Sequence, residues 1–350
     1  MKKPAILVFI ILCTASLHMV AHTKTETFTY WGDYAGVLSN QGLYPSSKRC
    51  VAEVIYMGNQ GYLLNFIEEF NSRGKKIATA KGLESNHMVI FKNDSVYGII
   101  KDDFLKGSLL HEGKWIAFQL NKVERTSPTL GAPPNKEAIV LFDGSDLNEW
   151  SGLKDQPLKW KITEENTMEL VPRPFREAPR TDIITKRHFS DFYLHLEFQL
   201  SLMADSTGQR RSNSGVVFNG ISELQVLDSY GLDGDKYECG AIYGISPPRV
   251  NMCFPPLSWQ TYDIVFHAPR YNKNGQRIQD GEITVYHNGV RIQNKLTLNR
   301  GPDELETGET VFPVHLRLQD HRNTLWYRNI WAIDLSNNPE LPEFMQVLDQ

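Results

Sequence analysis

The stretch from Ser212 to Tyr243 carries side chains that could do chemistry together. It reads SNSGVVFNG, then SELQVLDSYG, then GAIYG. Glu223 and Gln225 alternate with Leu224 and Val226. A period of two puts the carboxylate and the amide on one sheet face and the aliphatic pair on the other. Asp228 and Tyr230 follow where that strand runs into a Gly- and Asp-rich loop, and Asn213 and Tyr243 flank the stretch. A second cluster, HLRLQDHRNTLWYRNIW, spans His315 to Trp331. It sets Gln319, Asp320, His321 and Arg328 on either side of a turn at Arg322-Asn323. His321 there would suit proton transfer. Arg328, sharing a strand face with Trp326 and Ile330, would serve as a stack or a ligand clamp. Carboxylates, amides and aromatics on one sheet face suit a sugar. They offer acceptors for hydroxyls, a ring for the C–H face of a pyranose, and a general base. The competing reading is a solvated sheet face on which Glu and Gln do nothing.

Strands must position these groups. Phe192, Leu194, Leu196, Phe198 and Leu200 recur at every second position, and Tyr193, His195, Glu197 and Gln199 point the other way. That predicts a long strand with one core face. Thr261 to His267 reads as another, and Asn288-Gly289 marks a hairpin within Glu282 to Val290. Val314, Leu316 and Leu318 alternate with His315, Arg317 and Gln319, and a last strand covers Trp326 to Asp334. No stretch keeps helical periodicity beyond a turn or two. The pattern predicts an all-β chain whose larger part, residues 138–336, is a two-sheet sandwich or jelly roll. A small antiparallel β domain is expected over residues 25–126, with strands near Val51–Tyr56, Tyr62–Phe66, Met88–Lys92, Ser95–Lys101 and Lys114–Lys122. Its Tyr30, Trp31 and Tyr34 read as core aromatics or as a binding patch. The Pro-rich residues 127–137 read as a linker, and 337–350 as a C-terminal tail.

At 350 residues the chain is comfortable for two domains. Its net charge of −4, without a basic run, argues against a nucleic-acid partner. Lys2 and Lys3 followed by the apolar Ala5 to Leu12 read as a signal peptide over residues 1–22, cleaved between Ala15 and Ala21. The expectation is an exported protein, periplasmic, cell-surface or secreted, with no membrane span after cleavage. Ile11-Leu12 before Cys13 fit a lipid-anchor signal poorly. Cys50, Cys239 and Cys253 match no zinc spacing. They read as buried apolar residues, although a Cys239–Cys253 bridge would fit across a loop.

Seven blocks in order (LFDGSDLNEW, SNSGVVFNG, ELQVLD, GAIYG, LSWQTYDIVF, VYHNGV and HLRLQDHRNTLWYRNIW) resemble the bacterial 3-keto-disaccharide hydrolase domain family. The resemblance covers Ala138 to Asp334. It implies a concanavalin-like jelly roll, a glycoside substrate already oxidised at C3, and an upstream sugar 3-oxidoreductase to make it. A C3 ketone acidifies the C2 proton, so a base can start an elimination at C1 that hydration completes. Glu223, Asp228 and His321 are the expected catalytic residues. Asn213, Gln225, Tyr230, Tyr243, Gln319 and Arg328 are the expected substrate contacts. An ordinary two-carboxylate glycosidase would need carboxyls about 5–10 Å apart. Glu223 and Asp228 along an extended strand would stand about 17 Å apart. The sequence requires no cofactor. A divalent metal would find oxygen and nitrogen donors in Asp228, Asp320 and His321, but at no recognisable ligand spacing. A non-catalytic carbohydrate-binding module is the alternative from another class, since this architecture often only binds.

Overall fold

The computed structural model describes residues 29–39, 48–71, 76–171, 180–218, 222–274, 276–299, 314–336 and 341–348. The expected signal peptide lies outside the described residues. Residues 32–123 form a closed antiparallel barrel of eight strands. These are β1 (Gly32–Ser39), β2 (Lys48–Tyr56), β3 (Gly61–Ile67), β4 (Ala78–Ser85), β5 (Met88–Lys92), β6 (Val96–Lys101), β7 (Phe104–His111) and β8 (Lys114–Val123). Each pairs with the next, and β8 returns to β1. Alternation builds the interior: Val89 and Phe91 of β5 are fully buried, while Ile90 between them faces out. Closure also needs Gly36, because a Cβ there would meet the Gln119 carbonyl oxygen at 2.0 Å. Tyr30 and Tyr34 belong to the barrel core. Trp31 instead stacks on Tyr56 at the rim.

The remaining strands make a sandwich. They are β9 (Ile139–Phe142), β10 (Trp150–Gly152), β11 (Lys161–Ile162), β12 (Met168–Leu170), β13 (Ile183–Phe189), β14 (Phe192–Leu200), β15 (Ser214–Phe218), β16 (Ser222–Val226), β17 (Trp259–His267), β18 (Arg270–Tyr271), β19 (Arg277–Gln279), β20 (Gly281–His287), β21 (Val290–Leu298), β22 (Val314–Leu318) and β23 (Leu325–Asp334). A five-stranded sheet runs β10-β13-β22-β15-β16. The larger sheet runs β11-β12-β23-β14-β17-β20-β21, with β9 also paired to β23, and β18 and β19 form a separate ribbon. The alternating apolar residues of β14 fill the space between the sheets. Burying each such side chain stabilises the fold by about 1.5–3 kcal/mol. Leu224 and Val226 of β16 lie in the same core. Among the described residues the chain is all-β apart from short turns of 3-10 helix and one short helix, α1 (Glu343–Leu348).

The second face of β14 is not wet. Tyr193, His195 and Glu197 are fully buried. The segment after the barrel crosses this face as a strap. Ser127 Oγ lies 2.6 Å from Thr261 Oγ1, Thr129 Oγ1 donates to Asp263 Oδ2 at 2.7 Å, and the Gly131 N–H donates to Glu197 Oε1 at 2.5 Å. Helix α1 closes the far end, with Met345 packed against Tyr193 and Trp331. The alternation of one strand cannot reveal such a third layer.

Barrel and sandwich also touch. Tyr230 Oη donates to Asp33 Oδ1 at 2.8 Å, and Asn65 Nδ2 donates to the Gly231 carbonyl at 2.9 Å. Arg125 binds Asp33 and covers the Phe254 ring. Cys239 and Cys253 are buried as free thiols, so no Cys239–Cys253 bridge forms, and Cys50 is buried in the barrel core.

Candidate functional site

The outer face of the five-stranded sheet gathers the candidate groups. Register sets Glu223, Val217 and Arg317 in one cross-strand row. Gln225 and Gly215 pair in the next, where the Gln319 N–H donates to the Gly215 carbonyl at 2.9 Å. Gly215 has a steric purpose. A Cβ there would stand 2.5 Å from Glu223 Oε1 and 2.7 Å from Glu223 Cγ. The missing side chain lets the Glu223 carboxylate lie across β15 towards β22. Gln319 Nε2 meets it there, donating to Glu223 Oε2 at 3.1 Å.

Burial pushes the Glu223 carboxyl up to about 7, against the opposing pull of Arg317, Gln319 and Arg180, and Asp182 adds to the rise. A carboxylate poised there is half-ionised near neutrality, which suits a general base. Arg317 Nη1 lies 3.5 Å from Asp182 Oδ2, and both side chains are nearly buried. His321 is half-buried. Burial, then the charges of Arg180 and Arg322, hold its imidazole below the usual value, with Asp182 opposing. Glu223 and His321 therefore share Arg180 and Asp182 as electrostatic neighbours.

An amide chain extends the site along the sheet. Gln209 Oε1 accepts from both Asn213 Nδ2 (3.1 Å) and Gln225 Nε2 (2.9 Å). The carbonyl oxygens of the Asn213, Gln225 and Gln319 side chains are buried and, among the described residues, receive no hydrogen bond. Buried acceptors without donors are unusual. Three of them on one face call for a donor-rich ligand. The rim is aromatic. The Tyr243 N–H donates to the Glu223 carbonyl at 2.8 Å, and the half-exposed Tyr243 and Tyr237 rings meet edge to face at 5.2 Å.

Asn213, Glu223, Gln225, Tyr243, Gln319 and His321 thus lie on or beside one face. Three expected members do not join them. Asp228 turns towards the barrel, pairs with Arg211 at 3.5 Å, and lines a cleft with Trp31 and Tyr56. Tyr230 is buried in the contact with Asp33. Arg328 lies on the outer face of the other sheet, across the whole sandwich. It binds Glu197 at 2.6 Å and stacks over Trp259 at 4.0 Å. A bulge explains part of the misreading. The β23 register shifts at Ile330/Trp331, and Asn329 takes φ 46°, so Ile330 turns into the core away from Arg328. Asp320, weighed as a metal donor, is fully buried. It accepts from Thr181 and the Arg322 N–H and so fixes the turn that carries His321. Among the described residues, no group of three or more His, Cys, Asp or Glu side chains could hold a metal ion.

Sequence reading also missed contributors. Arg317 carried a signal, since it alternates with Gln319 in HLRLQ. Arg180, Asp182, Gln209 and Tyr237 carried none, because they arrive from loops and a turn of 3-10 helix.

Among curated proteins, none matches this chain. Of solved structures, a candidate glycosyl hydrolase from Parabacteroides distasonis is similar at 32% identity and TM-score 0.47, covering 57% of this chain and 84% of that one. Another from the same organism is similar at 18% identity and TM-score 0.42, covering 57% of this chain and 95% of that one. The model of the 3-keto-alpha-glucoside-1,2-lyase-like domain matches residues 137–333, more than half of the chain. The protein belongs to this family and is, on that membership, a carbohydrate-active protein.

Proposed function

We propose that the protein is an exported enzyme that cleaves 3-keto-glycosides, with an upstream sugar 3-oxidoreductase supplying its substrate. The observation that carries this reading is the half-buried Glu223 carboxylate, raised to about 7 beside Arg317, on a sheet face where three buried amide oxygens accept no hydrogen bond from the described residues. Sugar hydroxyls would supply those donors. Glu223 takes the C2 proton, which the neighbouring ketone has acidified. Arg317 and Arg180 stabilise the negative charge that develops on the C3 oxygen. The C1–O bond breaks, and the leaving alkoxide takes a proton from solvent. In the hydration step water adds to C1, neutral His321 takes its proton, and Glu223 returns the first proton to C2. His321 then releases its proton to solvent. The Tyr243 and Tyr237 rings wall the C–H face of the sugar.

Incubating the mature chain with 3-keto-glucosides and with the parent glucosides tests the reading. Turnover of the keto substrate alone is expected, and Glu223→Gln is expected to lower it by about 10²–10⁴-fold. Equal rates on both substrates would overturn the elimination. Binding without turnover of either would leave a carbohydrate-binding module instead.

A further inference from the structure

A second cleft lies between the barrel and the sandwich, away from Glu223. It has a volume of about 250 Å³, just below the roughly 300–1,000 Å³ usual for ligand sites. The barrel supplies Trp31, Tyr56 and Met57, and the sandwich supplies the loop at 202–207 with Arg211 and Asp228. Trp31 and Tyr56, stacked at 5.9 Å and 28°, make the barrel side of the cleft aromatic. Asp228 sits at the base and is only 7% exposed. Both neighbours that address its carboxylate, the Tyr230 N–H at 3.2 Å and Arg211 at 3.5 Å, approach Oδ1. Among the described residues, Oδ2 accepts no hydrogen bond. The Arg211 guanidinium is turned mainly to the Asp228 backbone carbonyl. Ser206 and Thr207 add hydroxyls at the lip.

We infer that this cleft is a binding site for a single pyranose ring, formed jointly by the two β units. The aromatic wall matches the apolar C–H face of the ring, and the Asp228 carboxylate at the base accepts from its hydroxyls. A volume this small admits one ring and not a chain. The site gives the barrel a share in ligand recognition, and it operates on sugars that need not be oxidised. Burial raises the Asp228 carboxyl above its ordinary range, with Arg211 opposing, and a hydroxyl donor at Oδ2 would relieve that penalty.

The test uses the full mature chain carrying Glu223→Gln, so that nothing is turned over. Methyl α-D-glucopyranoside and methyl β-D-glucopyranoside are titrated in turn, with isothermal calorimetry and tryptophan fluorescence as readouts. Saturation by at least one of them with a Kd of about 1 mM is expected, the affinity of a weak ligand of this size. Trp31→Ala and Asp228→Asn are each expected to weaken it about tenfold, while Tyr243→Ala, at the other face, leaves it unchanged. Thermal melting accompanies each variant. Should Trp31→Ala fail to fold, the isosteric Asp228→Asn decides alone. Unchanged affinity in the folded variants, loss of binding on Tyr243→Ala, or no saturation by either sugar overturns the inference. Because the probes carry no ketone and Glu223 is absent, failure here leaves the 3-keto reading intact, and the converse also holds.

Discussion

Replacing Glu223 by glutamine is expected to make the protein more stable at alkaline pH while removing its activity. The carboxyl moves from an ordinary 4.5 to about 7 on folding, chiefly because burial disfavours its charge. A folded value above the unfolded one means that the native state binds the proton more tightly. Stability is therefore fully present below about 4.5 and is lost as pH rises through about 7. A shift of about 2.5 units at 1.36 kcal/mol each gives about 3 kcal/mol by pH 8, and under about 1 kcal/mol at pH 5. These are upper values, because Glu223 keeps some access to water. Glutamine keeps the shape and can still accept from Gln319 Nε2. At about 2–4 °C per kcal/mol for a domain of this size, the variant is expected to melt about 6–12 °C above the parent at pH 8. The assay is thermal melting of both proteins at pH 5, 6, 7 and 8, paired with turnover of a 3-keto-glucoside. A melting difference that stays flat with pH, or that favours the parent at pH 8, would refute the claim that a desolvated carboxylate sits at this position.

Gly215→Ala is expected to leave melting nearly unchanged and to lower turnover by about 10²-fold. The three atoms nearest the new Cβ, Oε1, Cγ and Cδ, all belong to the flexible Glu223 side chain, so the substitution pushes the carboxylate out of line. Arg328→Ala is expected to cost about 1–3 kcal/mol in chemical denaturation, since it strips a partner from the buried Glu197, and to leave kcat unchanged because it lies across the sandwich. His195 gives a second pH window. Burial alone would lower its imidazole, but Asp263 and Glu197 prevail and raise it to about 9. Its stabilisation is therefore complete below about 6.5 and fades as pH rises through about 9. Melting from pH 6.5 to 10 is expected to show that loss in the parent and not in His195→Gln.

Strand patterning made the architecture legible. The alternation along β14 and β16 assigned Leu194, Leu196, Leu224 and Val226 to the core from sequence alone, because a period of two leaves a sheet residue only two faces. The same logic put Glu223 with Gln225 on one face, and Gln319 with Arg317 on another strand of what became the same sheet. It could not say what covers each face. The strap at 127–132 and α1 bury Tyr193, His195 and Glu197, and no local pattern in β14 foretells that.

Sequence by itself determined the all-β character, the family and the identity of the residues able to do chemistry, since strand alternation and ordered motifs are local properties of the chain. Tertiary structure decided which of those residues meet. Strand order brought β22 beside β15, and so Gln319 and Arg317 to Glu223, although about a hundred positions separate them in the chain. The bulge at Asn329 and the opposite face of the larger sheet took Arg328 away. The bend after Val226 sent Asp228 and Tyr230 to the barrel. Register, bulges and interdomain packing are set by partners distant in sequence, and the same packing desolvates Glu223 and raises its carboxyl to about 7.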